Sequence, residues 1–417
     1  MSDAKFRPTK KQLEFLDWEF GTFFHFGIRT FNEHHRDWDM KTMEASSFNP
    51  TELDCEQWIK TVKNAGVKYA VMTTKHHDGF ALWPSKYTEY SVKNSPWKDG
   101  KGDVVKEYTD ACRKYGLKVG LYYSCAQFDT TDMGCSYNDF VIGQLTELLT
   151  NYGKIDYMWF DGCGSENFDF DLERITKTVT ELAPDMLVFG ALGKTTVAWS
   201  KNEWCLMNLP NSNQTEKGFM PSEADGCMLR YKRENFWFYN ETHNNCRRTL
   251  DELLGMYYYT VGRGANLLLN IAPDRRGLIE DEDIRLLNAL HNEITRRMHA
   301  CALISETYDY EKDGAKYFET TFEKQTLVDH LVIEEDITEG NKIRKFSVLM
   351  STAPKSKDHI YLTSGYTIGH KCICTFPPVR AMSFVVRLDD ADDDAVITKM
   401  TPLYVGTPNL STENVVG

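Results

Sequence analysis

The sequence lacks features that define several large classes of protein. No apolar run in its 417 residues approaches the roughly 20 that cross a bilayer, so we expect a soluble chain with no membrane partner. Positive charge is also scarce: 48 Lys and Arg stand against 61 Asp and Glu, a formal net charge of −13. This balance argues against a nucleic-acid partner. A glycine-rich phosphate loop is missing after the first strand-like segment, which disfavours a doubly wound nucleotide-binding sheet.

The eleven cysteines lack the even number and regular spacing of a disulfide-stapled secreted domain. They are scattered along the chain, and we predict free thiols in a reducing compartment. Residues 1–13 are polar and basic, without the apolar segment of a secretory signal. We therefore expect a cytoplasmic location for the chain as it stands, and a periplasmic or secreted one if a signal is removed from a longer precursor.

Helix-like segments that end in glycine alternate with short apolar, strand-like segments. The predicted helices cover residues 50–65, 103–115, 138–152, 172–182, 249–261 and 281–298. The predicted strands cover 67–72, 118–123, 155–160, 186–191 and 266–271. Short apolar strands between helices are typical of a parallel sheet covered on its outer face. The number of units predicts a (β/α)8-like, TIM-type catalytic barrel over residues 1–303.

After residue 303 the pattern changes to short alternating runs separated by turn residues. This spacing predicts an antiparallel β-sandwich over residues 304–417. The acidic stretch at 389–394 is read as a solvated loop at a strand end, with a calcium site as the alternative.

Polar side chains follow several predicted strands, where the working groups of a barrel lie. They are His25, the pair His76 and His77, Tyr122 and Asp161. A carboxylate directly after five apolar residues is costly to bury unless it is used or paired, so Asp161 is the first candidate for catalysis. Adjacent histidines point to opposite faces of a regular strand, and a loop position would remove that restriction.

Glycoside hydrolysis with retention needs two carboxyl groups about 5 to 5.5 Å apart, one a nucleophile and one a proton donor. Asp161 is the natural nucleophile. Candidates for the donor are Glu166, Glu203, Glu216 and Glu223. Glu203 is favoured because it lies in a strand-like alternation over 197–204 beside Trp204, whose ring would raise its pKa by desolvation. Glu223 has a more turn-like context, and the choice between the two stays open.

Histidine is also the commonest transition-metal ligand, so a barrel metallohydrolase is a rival interpretation. Those enzymes typically begin with two histidines one residue apart, whereas His25 stands alone between Phe24 and Phe26. We therefore expect no metal and no cofactor. A non-catalytic carbohydrate-binding protein is the other rival, and the presence of both carboxylates argues against it.

Several strings together resemble glycoside hydrolase family 29, the retaining α-L-fucosidases. They are His25-Phe26-Gly27, Lys-His-His-Asp-Gly-Phe at 75–80, Gly120-Leu121-Tyr122, Trp159-Phe160-Asp161-Gly162 and the glycine-rich to Leu-Leu-Leu-Asn stretch at 261–270. The resemblance implies an exo-acting glycosidase of fucosylated oligosaccharides or glycoconjugates. It implies Asp161 as nucleophile, with His25, His76, His77, Tyr122 and Trp159 holding the fucose. Phe24, Phe26 and Trp159 are expected to receive the sugar's methyl group.

The position of Glu203, 42 residues after Asp161, resembles the branch that prefers α-1,3 and α-1,4 fucosyl links in branched, Lewis-type glycans. The resemblance implies acid/base catalysis by Glu203 and adds Asp37, Trp38 and Trp237 to the substrate-binding set. Departures are Asp37-Trp38 where Glu-Trp is usual, and Lys201 where a small residue is common. A broader specificity that includes aryl fucosides and α-1,2 links is the alternative, and an oligomer is compatible with the sequence.

Overall fold

The computed structural model of the chain describes residues 6–32, 39–41, 43–131, 134–208, 213–230, 237–241, 246–353, 356 and 358–406. Across these ranges, no helix is both long and apolar enough to span a bilayer.

A nearly closed barrel of eight parallel strands forms the first part of the chain. The barrel strands are β1 (Phe20–Phe24), β2 (Tyr69–Lys75), β3 (Lys118–Ser124), β4 (Tyr157–Asp161), β5 (Leu187–Gly190), β6 (Ala198–Trp199), β9 (Ser222–Cys227) and β10 (Asn266–Asn270). Between β6 and β9, a small separate hairpin is formed by β7 (Gln214–Thr215) and β8 (Gly218–Phe219). The strand order is β5-β4-β3-β2-β1-β10-β9-β6, and a parallel bridge between Phe189 and Val197 links the two edges. The predicted barrel is confirmed.

Seven α-helices accompany the strands in the described residues. They are α1 (Lys10–Trp18), α2 (Cys55–Asn64), α3 (Val104–Tyr115), α4 (Tyr137–Asn151), α5 (Leu172–Leu182), α6 (Leu250–Thr260) and α7 (Asp281–Met298). Local sequence sets their ends, as α3 illustrates. The Asp103 side chain accepts from the backbone N–H of Lys106 at 2.9 Å, and Gly116 closes the helix at a φ of 70°.

Strand alternation divides the core of the barrel into two layers. Residues on the outer face of the strands, such as Phe24, pack with the helices, as does Phe26 just after β1. Those on the inner face form a second cluster that includes Phe23, Tyr69 and Tyr157. α1 contributes Phe15 to this inner cluster, with ring centroids 5.7 Å from Tyr69 and 5.4 Å from Tyr157. Side chains therefore fill the interior of the barrel, and we call the end at the strand carboxyl termini the mouth.

A six-stranded antiparallel sheet follows the barrel. Its strands are β11 (Glu306–Lys312), β12 (Ala315–Glu335), β13 (Ile343–Ser351), β14 (Ile360–Gly365), β15 (Cys372–Ala391) and β16 (Ile397–Leu403). β12 and β15 are long and interrupted by register shifts, and apolar residues from both of their halves share one buried cluster. The chain leaves α7 at Met298 and enters β11 at Glu306, and the boundary predicted after residue 303 falls in this connection.

The acidic stretch at 389–394 begins at the end of β15 and faces basic side chains. Arg344 lies 2.8 Å from Asp390 and 2.6 Å from Asp392, and Lys342 lies 2.6 Å from Asp394. These ion pairs offset the charge that a calcium ion would otherwise neutralise.

The sheet contacts the side of the barrel that carries α1 and α6. The backbone N–H of Ile373 donates to the Gly262 carbonyl at 3.0 Å, and the Tyr258 hydroxyl lies 3.1 Å from His330 Nε2. An ion pair joins Lys371 to Glu19, which follows α1.

Candidate active site

A cavity of about 550 Å³ opens at the mouth of the barrel. It gathers most of the residues predicted from the sequence: His25, His76, Tyr122, Trp159, Asp161, Glu203 and Trp237. His77 contacts Asp161 from the side. Asp37 and Trp38 lie outside the described residues.

Asp161 is the last residue of β4, and several donors fix its carboxylate. Its Oδ2 accepts from the Tyr122 hydroxyl at 2.6 Å, and the Nε2 of His77 lies 3.5 Å from the same oxygen. Its Oδ1 accepts from the backbone N–H of Cys163 at 2.9 Å. About 22% of the side chain is exposed, and this part faces the cavity. The carboxylate is therefore oriented and accessible, as a nucleophile must be.

His25 and His76 present neutral rings to the cavity. Burial lowers the pKa of His25 to about 4, and burial together with His77 lowers that of His76 well below its usual value. The Nδ1 of His25 lies 2.8 Å from Asn270 Oδ1, an acceptor, so Nδ1 carries the proton and Nε2 is the acceptor. A neutral ring offers one donor and one acceptor, which suits sugar hydroxyls.

His76 and His77 both come after β2 ends at Lys75, so strand alternation does not separate them. The Ser124 hydroxyl donates to the Ala126 carbonyl at 2.6 Å and therefore accepts from His77 Nδ1, 2.6 Å away. Ser124 thus fixes the ring so that its Nε2 edge lies towards Asp161. Ser124 and Asn270 both orient site histidines, and the sequence analysis missed them.

Aromatic rings form the floor and walls of the cavity. Trp159 stacks on Phe189 at a centroid distance of 4.2 Å, and Phe23 meets its edge at 5.2 Å. Trp237 packs against His25 at 4.8 Å, and its neighbour Phe238 meets the same imidazole at 5.5 Å.

The expectation that Phe24 and Phe26 receive a methyl group is wrong. Their rings face outward and lie 5.4 and 5.2 Å from Trp58 of α2. Successive residues of β1 alternate between the two faces, so it is Phe23 that reaches the cavity.

The structure separates the four carboxyl groups considered as proton donors. Glu203 lies in the loop after β6 and lines the cavity. The strand predicted over 197–204 is limited to Ala198–Trp199, because the chain turns at Lys201, where φ is +63°. Glu203 and Trp204 are both exposed. Glu166 and Glu216 are exposed outside the cavity lining.

Glu223, the fourth candidate for the proton donor, lies on β9 and not in the turn-like setting that we expected. β9 forms here because it pairs with both β10 and β6. The carboxyl group is buried beneath Trp159, whose Nε1 donates to it at 3.0 Å, and it is absent from the cavity lining. Burial raises the pKa of Glu223 to about 7.

Asp225 is a buried carboxyl group of the cavity that the sequence analysis missed. It accepts a hydrogen bond of 2.6 Å from the indole of Trp199, which also lines the cavity. Burial, with Glu203 and Glu223 nearby, raises its pKa well above the usual value. The signal was present in the sequence: Glu223 and Asp225 alternate with small residues, which places both on one face of a strand.

One group of potential metal ligands occurs within the part of the chain that the structure describes. Ligand atoms of His76, His77 and Asp161 lie within 4.8 Å of one another. Asn270 engages His25, and Tyr122 donates to the Asp161 oxygen that faces His77. The same atoms can serve a sugar hydroxyl.

Comparisons with known proteins identify the family of the chain. The family model for α-L-fucosidase matches residues 2–296. Alpha-L-fucosidase 1 of Arabidopsis thaliana is 30% identical over 94% of this chain and 86% of its own length. A glycoside hydrolase 29 family member from an unknown rumen bacterium superposes with a TM-score of 0.84 at 29% identity, over 97% of this chain and 78% of that one. A Ruminococcus gnavus GH29 fucosidase in complex with fucose superposes with a TM-score of 0.83 at 25% identity, over 96% of this chain and 95% of that one. The chain belongs to the α-L-fucosidases of glycoside hydrolase family 29.

Proposed function

We propose that this enzyme is an exo-acting, retaining α-L-fucosidase that removes α-1,3- and α-1,4-linked fucose from branched, Lewis-type glycans. The observation that carries the proposal is the placement of Asp161 and Glu203 in the lining of one cavity, with the Asp161 carboxylate held by the Tyr122 hydroxyl and the Cys163 backbone N–H. Two carboxyl groups at one aromatic-walled cavity are the minimum that double displacement needs.

In the first step the Asp161 carboxylate attacks the anomeric carbon of fucose. The bond to the leaving glycan breaks, and Glu203 gives its proton to the departing oxygen. In the second step the ionised Glu203 takes a proton from water. That water attacks the anomeric carbon, releases Asp161 and leaves fucose with its original configuration. Exposure of Glu203 in a loop allows it to reach both the leaving oxygen and the water.

Binding of fucose would use the two kinds of surface in the cavity. Neutral His25 and His76 exchange hydrogen bonds with the ring hydroxyls, whereas Phe23 and Trp237 accept the methyl group. Trp199 is 42% exposed and lines the cavity on the β6 side, where Glu203 also lies. It offers an aromatic surface to the sugars of the leaving glycan, which supports a preference for branched substrates over simple aryl fucosides.

We also propose that the protein works in a reducing, cytoplasmic compartment. All eleven cysteines are free thiols in the structure, which supports that location.

Fucose release from a Lewis-type trisaccharide, from α-1,2-fucosyl-lactose and from an aryl fucoside tests the assignment. Asp161→Ala should lower turnover of every substrate on the order of 10³-fold or more, because the nucleophile is gone. Glu203→Ala should abolish release from the trisaccharide and spare the aryl fucoside more, since an activated leaving group hardly needs a proton. Glu166→Ala, which removes an exposed carboxylate after the same strand, is the matched control and should retain full activity.

Each part of the proposal has its own contradicting result. Ordinary turnover by Asp161→Ala would overturn its role, and equal release from the α-1,2 substrate would overturn the linkage preference alone. Proton NMR of the first product formed should show the same anomeric configuration as the substrate, and the inverted product would exclude double displacement. Loss of activity on chelation would transfer the assignment to the metal group formed by His76, His77 and Asp161.

A further inference from the structure

The C-terminal sheet carries a groove of about 600 Å³ that shares no lining residue with the cavity at the barrel mouth. Its lining combines Tyr308 and Tyr310 of β11, Glu319 of β12 and His359, which precedes β14. A volume of this size is typical of a small-molecule site. The fucosidase reaction does not use this groove.

Pairing of β11 with β12 places the aromatic and acidic side chains on one face. Tyr308 pairs with Glu319 and Tyr310 pairs with Tyr317, so all four side chains project to the same side of the sheet. Tyr310 stacks on Tyr317 with centroids 5.1 Å apart and planes 7° apart, and Tyr308 lies 6.0 Å from Tyr310. Tyr308 and Tyr310 are half-buried, so part of each ring faces the groove.

Glu319 is the unusual member of this set. Only 3% of the residue is exposed, and its Oε1 has no hydrogen-bond partner among the described residues. Within the same residues, no lysine, arginine or histidine forms a salt bridge with it. The Tyr308 and Tyr310 hydroxyls interact with this carboxylate. A buried carboxylate without a cation is still costly, so a ligand that donates to it would stabilise it.

The other polar atoms of the groove complement that carboxylate. The Nε2 of His359 is buried and likewise has no hydrogen-bond partner in the described part of the chain. Burial and the nearby Glu319 raise the pKa of Tyr308 and of Tyr310 to about 12, so both hydroxyls stay protonated at neutral pH. The groove thus offers a carboxylate acceptor, an imidazole and two phenol hydroxyls beside aromatic faces.

We propose that this groove is a non-catalytic binding site for a neutral pyranose of a glycan. Vicinal hydroxyls of the sugar donate to the Glu319 carboxylate and exchange a hydrogen bond with the His359 imidazole. The C–H face of the ring packs on Tyr308 and Tyr310, as sugar rings do on flat aromatic surfaces. Glu306, Glu311 and Glu319 of the lining disfavour acidic sugars by charge repulsion, which Lys312 offsets only in part. The tyrosines lie in a row along one face of the sheet and do not enclose a point, which disfavours the aromatic cage that a quaternary ammonium ion requires.

Titration of the full-length protein with methyl β-D-galactopyranoside and with methyl α-L-fucopyranoside, followed by calorimetry and ligand-observed NMR, tests the proposal. The catalytic variant Asp161→Ala serves as the parent, so that no fucoside is consumed. Saturable binding at the millimolar level is expected, and Glu319→Leu and Tyr308→Ala should each weaken binding of the galactoside tenfold or more. Glu323→Leu removes an exposed carboxylate of the same strand outside the groove, and it should leave binding unchanged.

Two further readouts keep loss of the site distinct from loss of the fold. Leucine fills the volume of the unpaired carboxyl group, so Glu319→Leu should keep or raise the melting temperature. With Asp161 restored, the groove variants should hydrolyse an aryl fucoside at a rate within twofold of wild type. The proposal is overturned if the galactoside does not bind, if its binding survives both groove substitutions, or if tetramethylammonium binds the groove and the galactoside does not. A failure of this kind would leave the fucosidase assignment untouched.

Discussion

Glu223 lies beneath the active site and orders the interior of the barrel. Its Oε2 accepts from the Tyr69 hydroxyl at 2.6 Å, and its Oε1 accepts from Tyr157 at 2.9 Å and from the Trp159 indole at 3.0 Å. Trp159 forms the floor of the cavity, so Glu223 fixes the height and tilt of a surface that the substrate meets. We regard it as a positioning residue because it does not line the cavity.

Replacement of Glu223 by glutamine should change how stability depends on pH. The folded pKa of about 7 lies above the ordinary 4.5, so the contribution of the neutral group is complete below pH 4.5 and is lost as pH rises through 7. This pKa difference corresponds to a loss of roughly 3 kcal/mol in the free energy of unfolding as the pH rises from below 4.5 to above 7. Glu223→Gln does not titrate, so its stability relative to wild type should improve between pH 5 and pH 8. Urea denaturation at four pH values measures this.

An unchanged difference across that range would show that Glu223 titrates as an ordinary carboxyl group. Glu166→Gln, an exposed site, should show no such trend. The indole contact adds a second readout: because Glu223 acts through Trp159, glutamine should raise KM for an aryl fucoside more than it lowers kcat.

At the residue scale, the sequence was sufficient to identify those site residues that directly follow an apolar, strand-like segment. Asp161 ends an apolar strand, and the histidine pair follows another. The sequence could not distinguish the settings of Glu203 and Glu223, because the difference comes from partners far away in the chain. Tyr69 and Tyr157 bury Glu223 from across the barrel, whereas the backbone turn at Lys201 carries Glu203 into a loop.

At the scale of elements, the end of β5 depends on a glycine. Gly190 has a φ of 98°, and a Cβ atom there would lie 1.8 Å from the carbonyl oxygen of Phe160 on β4. Gly190→Ala should therefore push β5 away from β4, the strand that carries Asp161. We expect a loss of about 3 kcal/mol in the free energy of unfolding, together with most of the fucosidase activity.

Gly193→Ala is the control for Gly190→Ala because both glycines have a positive φ. At Gly193 the φ is 80°, but a Cβ would meet no atom closer than 3.7 Å, so only the backbone cost of about 1 kcal/mol applies. Urea denaturation of the two variants measures the difference. Equal losses would mean that the chain can relax around Gly190.

Long elements with regular patterns were predictable from the sequence, and short ones were not. The helix predicted over 103–115 is observed as Val104–Tyr115, because its cap, apolar face and closing glycine all agree. β6 has two residues and is held by pairing with β9, so its own pattern carries little information. β9 contains serine, glycine and two acidic residues, and it is a strand only because the barrel has to close around it.

At the scale of the whole molecule, the barrel and the C-terminal sheet meet through a polar contact at Glu19. This residue follows α1, and its carboxylate faces His370 and Lys371, which immediately precede β15. Although burial opposes it, these two partners lower the pKa of Glu19 below its usual value. The contact lies at the end of the barrel opposite the mouth, since Glu19 directly precedes β1.

Glu19→Gln should weaken this contact without touching the active site. A hydrogen bond to a charged group contributes about 2 kcal/mol, so the variant should melt at a lower temperature at pH 7. Because the folded pKa is lowered, the contribution is present above the ordinary 4.5 and is lost as pH falls through the folded value. The melting temperatures of wild type and variant should therefore converge as the pH is reduced from 7 to below 4. Glu216→Gln, which removes an exposed carboxylate, should follow wild type throughout. If the gap stays constant with pH, the charge of Glu19 does not stabilise the contact between barrel and sheet.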